Sequence, residues 1–527
     1  MRAVKITFLL LTIVTMMSWG VVLAYSSPVL IKLKLTSETD YQKANQLKIP
    51  VYHKFPVKVA GADLVIADFE KSNLSELDNA GLNYEIVDEE PWADAHPSGW
   101  SEGYYLISES EKTESVNLSQ FGKVLVSAEK FYFMKITDEN ARQLAEKGYY
   151  IVKVFRRPLP LEYKPPVTLP KHYPSPPSAG SLNYPSIDSL LSLVSQDSLY
   201  AWDLRMQNFR TRYSYSDSIV KARDWLMNKF LSFGLDSVWL HHYYYDSNQW
   251  NVVATVVGTV KPDKVIVVGG HYDSVVYGSG TNPYTWAPGA DDNATGTVAT
   301  LEIARIIALN PLPVTVMFVP FAQEEQGLVG SGYFADYLSS ALTDVYLMIN
   351  QDMIAHSVDA DPDVAIYAAS SAMGFVDVMI NMANTYTSLR PYYAGQTGGS
   401  DHYSFYQNGY DAVFAHEGDF FTNGWHKNYD VVDSLNFPYM KQVVQMCLAT
   451  LITVAKSVGY KIGDPTMNGV IDLGDVVFLI DYVYKGGSAP DPFSSGDVTC
   501  DAQITLEDIV FLINYLYKNG PPPPSSC

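Results

Sequence analysis

Four short segments of the chain concentrate one histidine and several carboxylates. They are Gly270-His-Tyr-Asp-Ser274, Pro288-Gly-Ala-Asp-Asp-Asn-Ala-Thr-Gly296, Gln323-Glu-Glu-Gln-Gly-Leu328 and Gln351-Asp-Met353. Three of them directly follow apolar runs, 264–269, 314–319 and 345–349, that read as buried parallel strands. In open α/β sheets functional groups gather beyond the carboxyl ends of the strands, so the segments are expected to meet there. An imidazole among carboxylates is the donor set of a borderline hard divalent cation, zinc above all. His271 is a ligand candidate at a strand end. Asp273, two residues on, lies on the same side of an extended chain and can accept the other imidazole proton. The adjacent acids Glu324 and Glu325 are costly to bury without partners. A metal would hold one of them, leaving the other to take a proton from water.

Later come Ser400-Asp401-His402 and Trp425-His426-Lys427-Asn428-Tyr429-Asp430. In this order, and over roughly residues 186–460, the motifs closely resemble the secreted di-zinc aminopeptidase family, whose relatives include glutamate carboxypeptidases and glutaminyl cyclases. The resemblance implies two zinc ions per catalytic domain and peptide substrates hydrolysed from the N-terminus by metal-activated water. It implies that Asp292 bridges the metals, that His271 and Asp352 complete one site, and that Glu325 and His426 complete the other. Glu324 matches the general base and Asp273 the partner of His271. The family places its bridging acid three residues before a Ser/Thr-Gly pair, here Thr295-Gly296, which selects Asp292 over Asp291. One position departs: Trp425 stands where some relatives carry a tyrosine that stabilises the oxyanion. Tyr403 and Tyr429 are the alternatives, and the sequence does not choose between them. Tryptophan before this histidine also occurs in glutaminyl cyclases, so cyclisation of N-terminal glutamine on the same fold is a second reading. A non-enzymatic surface- or scaffold-binding protein is a third. The full ligand set with both glutamates disfavours it.

The elements that must position these residues are spread over 527 residues, enough for about three domains. A formal charge of −21 argues against nucleic acid as a partner, because phosphate binding needs clustered Lys and Arg. Residues 1–24 read as an export signal: Arg2 and Lys5 precede an apolar stretch ending in Val22-Leu23-Ala24. A secreted or cell-surface protein, with no membrane span after cleavage, is expected. Residues 25–157 hold two strand–helix–strand units, an N-terminal α+β accessory or pro-domain. Residues 158–185 carry nine prolines and read as a semi-rigid linker. Residues 186–460 alternate strands and helices, which predicts an α/β domain with a mixed, mostly parallel sheet flanked by helices. The resemblance makes it a zinc exopeptidase fold. Of three cysteines, Cys447 is expected as a buried thiol, and Cys500 and Cys527 are able to pair.

Residues 463–520 repeat themselves at an interval of thirty-three. Each copy offers the ligand positions of a calcium loop followed by a helix. The first supplies Asp464, Thr466, Asn468, the Val470 carbonyl, Asp472 and Asp475, and the second Asp497, Thr499, Asp501, the Gln503 carbonyl, Thr505 and Asp508. Gly469 holds the sharp-turn position of the first loop, and Ala502 replaces it in the second. The pair resembles a type I dockerin, an all-α repeat holding Ca2+, and implies a cohesin-like or cell-surface partner. Dockerins often carry a Ser-Thr pair late in each loop. Leu473-Gly474 and Leu506-Glu507 stand there instead, so surface attachment is as well supported as cohesin binding.

Overall fold

The computed structural model describes residues 28–59, 62–89, 91, 102–109, 115–145, 147–154, 159, 186–243, 250–278, 280–357, 362–419, 424–467 and 470–524. The expected export signal and nearly all of the proline-rich linker lie outside these residues, as do Asn468, Gly469 and Cys527.

Strands β1 (Pro28–Leu35), β2 (Val51–Val59), β3 (Ala62–Glu70) and β4 (Asn83–Asp88) form one sheet in the order β2-β3-β1-β4. Strands β5 (Glu102–Glu109), β6 (Gly122–Ala128), β7 (Phe131–Thr137) and β8 (Tyr149–Val154) form a second, in the order β6-β7-β5-β8. The period-2 alternation of each strand splits its side chains between two cores. Val29, Ile31 and Leu33 of β1 pack under the helices Glu38–Gln46 and Leu74–Ala80. Tyr105 and Ile107 of β5 pack under the helix Asp138–Ala145. The opposite faces, with Leu30, Ile66, Tyr104, Leu106, Phe133 and Val152, share one core, which also takes in Leu328 and Tyr403 from the large domain.

The large domain is built on strands β9 (Ser237–His241), β10 (Asn251–Val256), β11 (Lys261–His271), β12 (Val314–Phe321), β13 (Asp344–Gln351), β14 (Asp363–Ala368), β15 (Arg390–Gly395) and β16 (Ala412–Glu417). Their order is β15-β14-β16-β13-β11-β12-β10-β9. Its centre, β16-β13-β11-β12, is parallel, and β9, β10 and β14 run antiparallel to neighbours. Strand β11 is buried on both faces, as its unbroken apolar run requires. Ile266 and Val268 face the helices Gly296–Ala308 and Phe437–Gly459 on one side. Val265 and Val267 face the helix Val329–Ser340 on the other. A Cβ on Gly296 would collide with the Gln351 carbonyl, so this glycine lets a helix start on the end of β13. That contact sets Asp292, four residues earlier, beside Asp352. Cys447 is buried and free, and Cys500 is disulfide-bonded.

The C-terminal repeat consists of two helices, Leu473–Lys485 and Leu506–Tyr517, each entered through an acidic loop. The loops exchange contacts. A Cβ on Gly463 would meet Pro523, Ile471 and Leu512, and one on Gly496 would meet Pro490, Ile504 and Leu479, the same set shifted by thirty-three. Among the described residues no helix is long and apolar enough to cross a membrane.

One buried titratable group sits where the N-terminal sheets meet the large domain. His53 packs against Phe55, Phe133 and Tyr403, and its Nε2 lies 3.0 Å from the Tyr403 hydroxyl. Burial pushes its pKa down to about 3. The unfolded chain takes up this proton near pH 6.5, whereas the folded chain resists it until about pH 3. Stability present above pH 6.5 is therefore lost as pH falls between these values, by about 1.4 kcal/mol per unit from this group. Denaturant unfolding from pH 7 to pH 4 should show a shallower pH slope for His53→Leu than for the parent chain. Identical slopes would mean that this ring is not held neutral.

Candidate active site

The parallel register of β13, β11 and β12 brings their carboxyl ends side by side, with His271 opposite Phe321 and Gly269 opposite Asn350. His271 ends β11, Asp352 follows β13, and Glu324 and Glu325 follow β12 by three and four residues. His271 Nε2 lies 3.3 Å from Asp292, 3.5 Å from Asp352 and 3.8 Å from Glu324. His426 Nε2 lies 3.1 Å from the other oxygen of Asp292 and 3.0 Å from Glu325. Asp292 thus stands between the two imidazoles with one oxygen toward each. All six groups named for metals and proton transfer meet in one cavity. His271, Glu324 and Asp352, and likewise His271, Asp292 and Glu325, place ligand atoms within 4.8 Å of one another. Among the described residues these are the two such groupings.

The donor set fits cations. Glu325 Oε1 and Asp352 Oδ1 are buried with no hydrogen-bond partner, an arrangement that is costly unless a positive charge joins them. Burial alone would depress the pKa of His271, but the charges of Glu324 and Asp352 outweigh it and hold the ring well above its ordinary value. Burial opposes protonation of His426 too, and Glu325 and Asp292 lift it to about 10. Burial raises Glu324 well above the usual carboxylate range and Glu325 to about 7. Without metal the protein keeps protons where a cation would otherwise sit, so metal binding must expel them and strengthen as pH rises.

A layer of hydrogen bonds holds this geometry. Asp273 lies 3.4 Å from His271 Nδ1 and accepts from the Ser214 hydroxyl at 3.0 Å. It also accepts the amides of Glu324 and Glu325, at 3.1 and 3.3 Å. Asp273 thus also fixes the backbone of both glutamates, which its expected role toward His271 did not include. The Ser400 hydroxyl donates to Asp352 at 2.7 Å and accepts from the Asn350 side chain. Asp430 accepts the amides of Asp291 and Asp292, at 2.8 and 3.1 Å. Arg212, fully buried, donates to the carbonyls of Tyr272, Pro288 and Gly289 and so ties the His271 loop to the Asp292 loop. Asp291 turns into the interior, accepts the Ala355 amide and bonds to Glu417. Burial lifts its pKa to about 7. Four non-glycine residues in or near the site, Gln323, Leu328, Met353 and His426 itself, have φ between 50° and 59°. Such clustering of left-handed backbone is common where a fold holds reactive groups in place.

Both tyrosines considered for the oxyanion lie elsewhere. Tyr403 is buried under the N-terminal sheets, where it donates to the Lys54 carbonyl at 2.6 Å. Tyr429 is 54% exposed and does not line the cavity. The cavity is instead lined by Trp425, stacked on His426 at 4.2 Å, and by Tyr277 and His416. Tyr277 comes from a different loop, donates its amide to the His426 carbonyl and sets its ring edge-on to that imidazole. The quoted motifs contained Ser400 and Asp430 without assigning them work. Nothing in the sequence around Arg212 signals its role.

In the C-terminal loops Asp475 takes the Thr466 and Asp472 amides and Asp508 takes the Thr499 and Thr505 amides, so the two loops fold alike. Asp464, Asp475, Asp497 and Asp508 are buried.

A buried carboxylate flanked by two imidazoles, with a spare glutamate beside it, defines a metallohydrolase site at the carboxyl edge of a mixed sheet. Residues 251–451 of the α/β domain match the model of Peptidase family M28. A probable aminopeptidase of Saccharomyces cerevisiae is 28% identical over 52% of this chain and 79% of its own length. A probable zinc metalloprotease of Pyrenophora teres f. teres is 33% identical over 33% of this chain, but the match spans only 42% of that protein. Among solved structures, LapB of Legionella pneumophila shares the fold at a TM-score of 0.54 and 18% identity, over 67% of this chain and 100% of that one.

Asp430→Asn should keep the fold but loosen the Asp292 loop, because a carboxamide oxygen replaces only one of the two acceptors. Zinc affinity, measured by chelator competition, should fall by about 10–100-fold. Unchanged affinity would show that the amide clamp is dispensable.

Proposed function

We propose that the chain is a secreted, zinc-dependent aminopeptidase in which Glu324 carries the proton, joined to a calcium-dependent attachment module. The class itself, a metallo-aminopeptidase acting on peptide bonds, follows from the matched family and from relatives named aminopeptidase and zinc metalloprotease. The observation that carries the mechanism is Asp292, with one oxygen toward each histidine and Glu324 close by. His271, Asp352 and Asp292 would hold one zinc ion, and Glu325, His426 and Asp292 the other. When bound, the pair supplies Lewis acidity toward the scissile carbonyl and a lower pKa for the attacking water. Glu324 accepts the proton of that water as its oxygen bonds to the carbonyl carbon. Glu324 then delivers the proton to the departing amine as the C–N bond breaks. Burial raises the Glu324 pKa above the usual carboxylate range, which makes it a stronger proton acceptor. Asp273 fixes the base by holding its amide.

Exhaustive chelation should abolish hydrolysis of aminoacyl amides, and zinc should restore it, with about two ions bound per chain. Activity that survives verified metal loss would sink the mechanism. The same assay on peptides beginning with glutamine separates the rival chemistry: cyclisation without release of a terminal residue would make this a glutaminyl cyclase.

Within the glutamate pair, Glu324→Gln should retain metal but lose turnover by about two to four orders of magnitude. Glu325→Gln should lose metal. Exchanged phenotypes would reverse the two roles.

The calcium reading rests on the duplicated loops and their four buried aspartates. Segment 463–520 in the full chain should gain protease resistance with calcium, since unneutralised aspartates repel one another within each loop. Loss of the module should spare peptidase turnover and abolish surface or cohesin-like attachment. No response up to about millimolar calcium, the weak end of such sites, would leave the loops as acidic turns.

A further inference from the structure

The cavity in front of His271 and His426 is not walled by the peptidase domain alone. Ala145, Tyr149 and Ile151 of the N-terminal domain line it together with Glu324 and Trp425. Ala145 ends a helix, and Tyr149 and Ile151 are alternate residues of β8, the edge strand of the second sheet.

The approach of this edge is built into the catalytic loop. Gly327 follows Glu324 by three residues and has φ +99°, and a Cβ there would lie 2.7 Å from the Lys153 amide nitrogen and 2.9 Å from Lys153 Cβ. A Cβ on Gly398 would already touch Leu106 and Val152, at 3.4 and 3.6 Å. Nearby, the Gln407 side chain accepts the Lys54 amide at 2.6 Å and donates back to the Lys54 carbonyl. Leu328, next to Gly327, is buried in the core that the two N-terminal sheets share. Removing the domain would expose that core and leave the Tyr403 hydroxyl and Gln407 carboxamide to find new partners. A cover meant to be shed would be expected to rest on wetter contacts than these. The cavity is partly open to solvent, and its deepest part has about 60 Å³ of room for water, a few molecules at roughly 10–15 Å³ each.

We infer that the N-terminal domain is a permanent wall of the substrate pocket, and that Ala145 and Ile151 determine which terminal side chain fits beside the metals. This rests on the aminopeptidase reading above and assigns its specificity. Ala145 and Ile151 are apolar, so this wall favours uncharged terminal residues.

Two experiments test it on the full chain. In the first, kcat/KM is measured for alanyl, leucyl and phenylalanyl amides. Ala145→Trp should lower the phenylalanyl-to-alanyl ratio by at least about tenfold, and Ile151→Ala should raise it, as pocket-filling differences do. A loss shared equally by all substrates, or no change in ratio, would overturn the inference while leaving the aminopeptidase reading intact. A parent enzyme inactive on every amide would instead overturn that reading and this one with it. In the second, a specific protease site is placed within residues 160–185 and cut. The two pieces should co-elute in size exclusion and turnover should persist. Release of the N-terminal piece with a rise in activity would show a removable cover and overturn the inference.

Discussion

Everything in the large domain answers to one electrostatic demand. Asp292, Glu324, Glu325 and Asp352 lie close together and out of water, beside only two imidazoles. Such a cluster repels itself unless protons or cations join it. The scaffold must therefore hold it against that repulsion. It does so with backbone amides given to Asp273 and Asp430, with the Arg212 guanidinium laced through three carbonyls, and with glycines that let a helix and a strand end touch. The parallel centre of the sheet is what makes such a gathering possible, because only there do adjacent strands end on the same side.

Residue chemistry at strand ends marked His271 and the Glu324–Glu325 pair, and the family resemblance implied Asp292, Asp352 and His426. His271, Asp292, Glu324, Glu325, Asp352 and His426 each carry a side chain whose burial demands a reason, and each sits in a motif. The apolar runs of β11, β12 and β13 were legible because strands buried on both faces cannot carry polar residues. Arg212 was not legible, since its partners are carbonyls belonging to residues sixty or more positions away. The oxyanion candidates failed for a related reason. Tyr403 looked near the site in sequence, next to His402 and Asp401, yet its helix turns the hydroxyl toward Lys54 of another domain. The wall formed by Ala145 and Ile151 was equally hidden, because nothing in their local pattern marks the surface they would meet.

Asp273 shows how few residues carry more than one constraint. A single carboxylate faces the His271 imidazole and accepts the backbone amide of Glu324. Its two neighbours in function cannot drift independently. That coupling suits a reaction in which the distance between the electrophile and the base matters at the level of about 1 Å.

The contacts of the C-terminal repeat run between its two copies. Leu512 of the second copy packs on Gly463 of the first, and Leu479 of the first packs on Gly496 of the second. Each copy finishes the other's interior, so a lone copy would leave an apolar patch bare. It would find its complement on an identical molecule, in a two-fold pairing. The module therefore has the two-fold form of a pair of identical subunits, and carrying both copies in one chain makes their pairing independent of concentration.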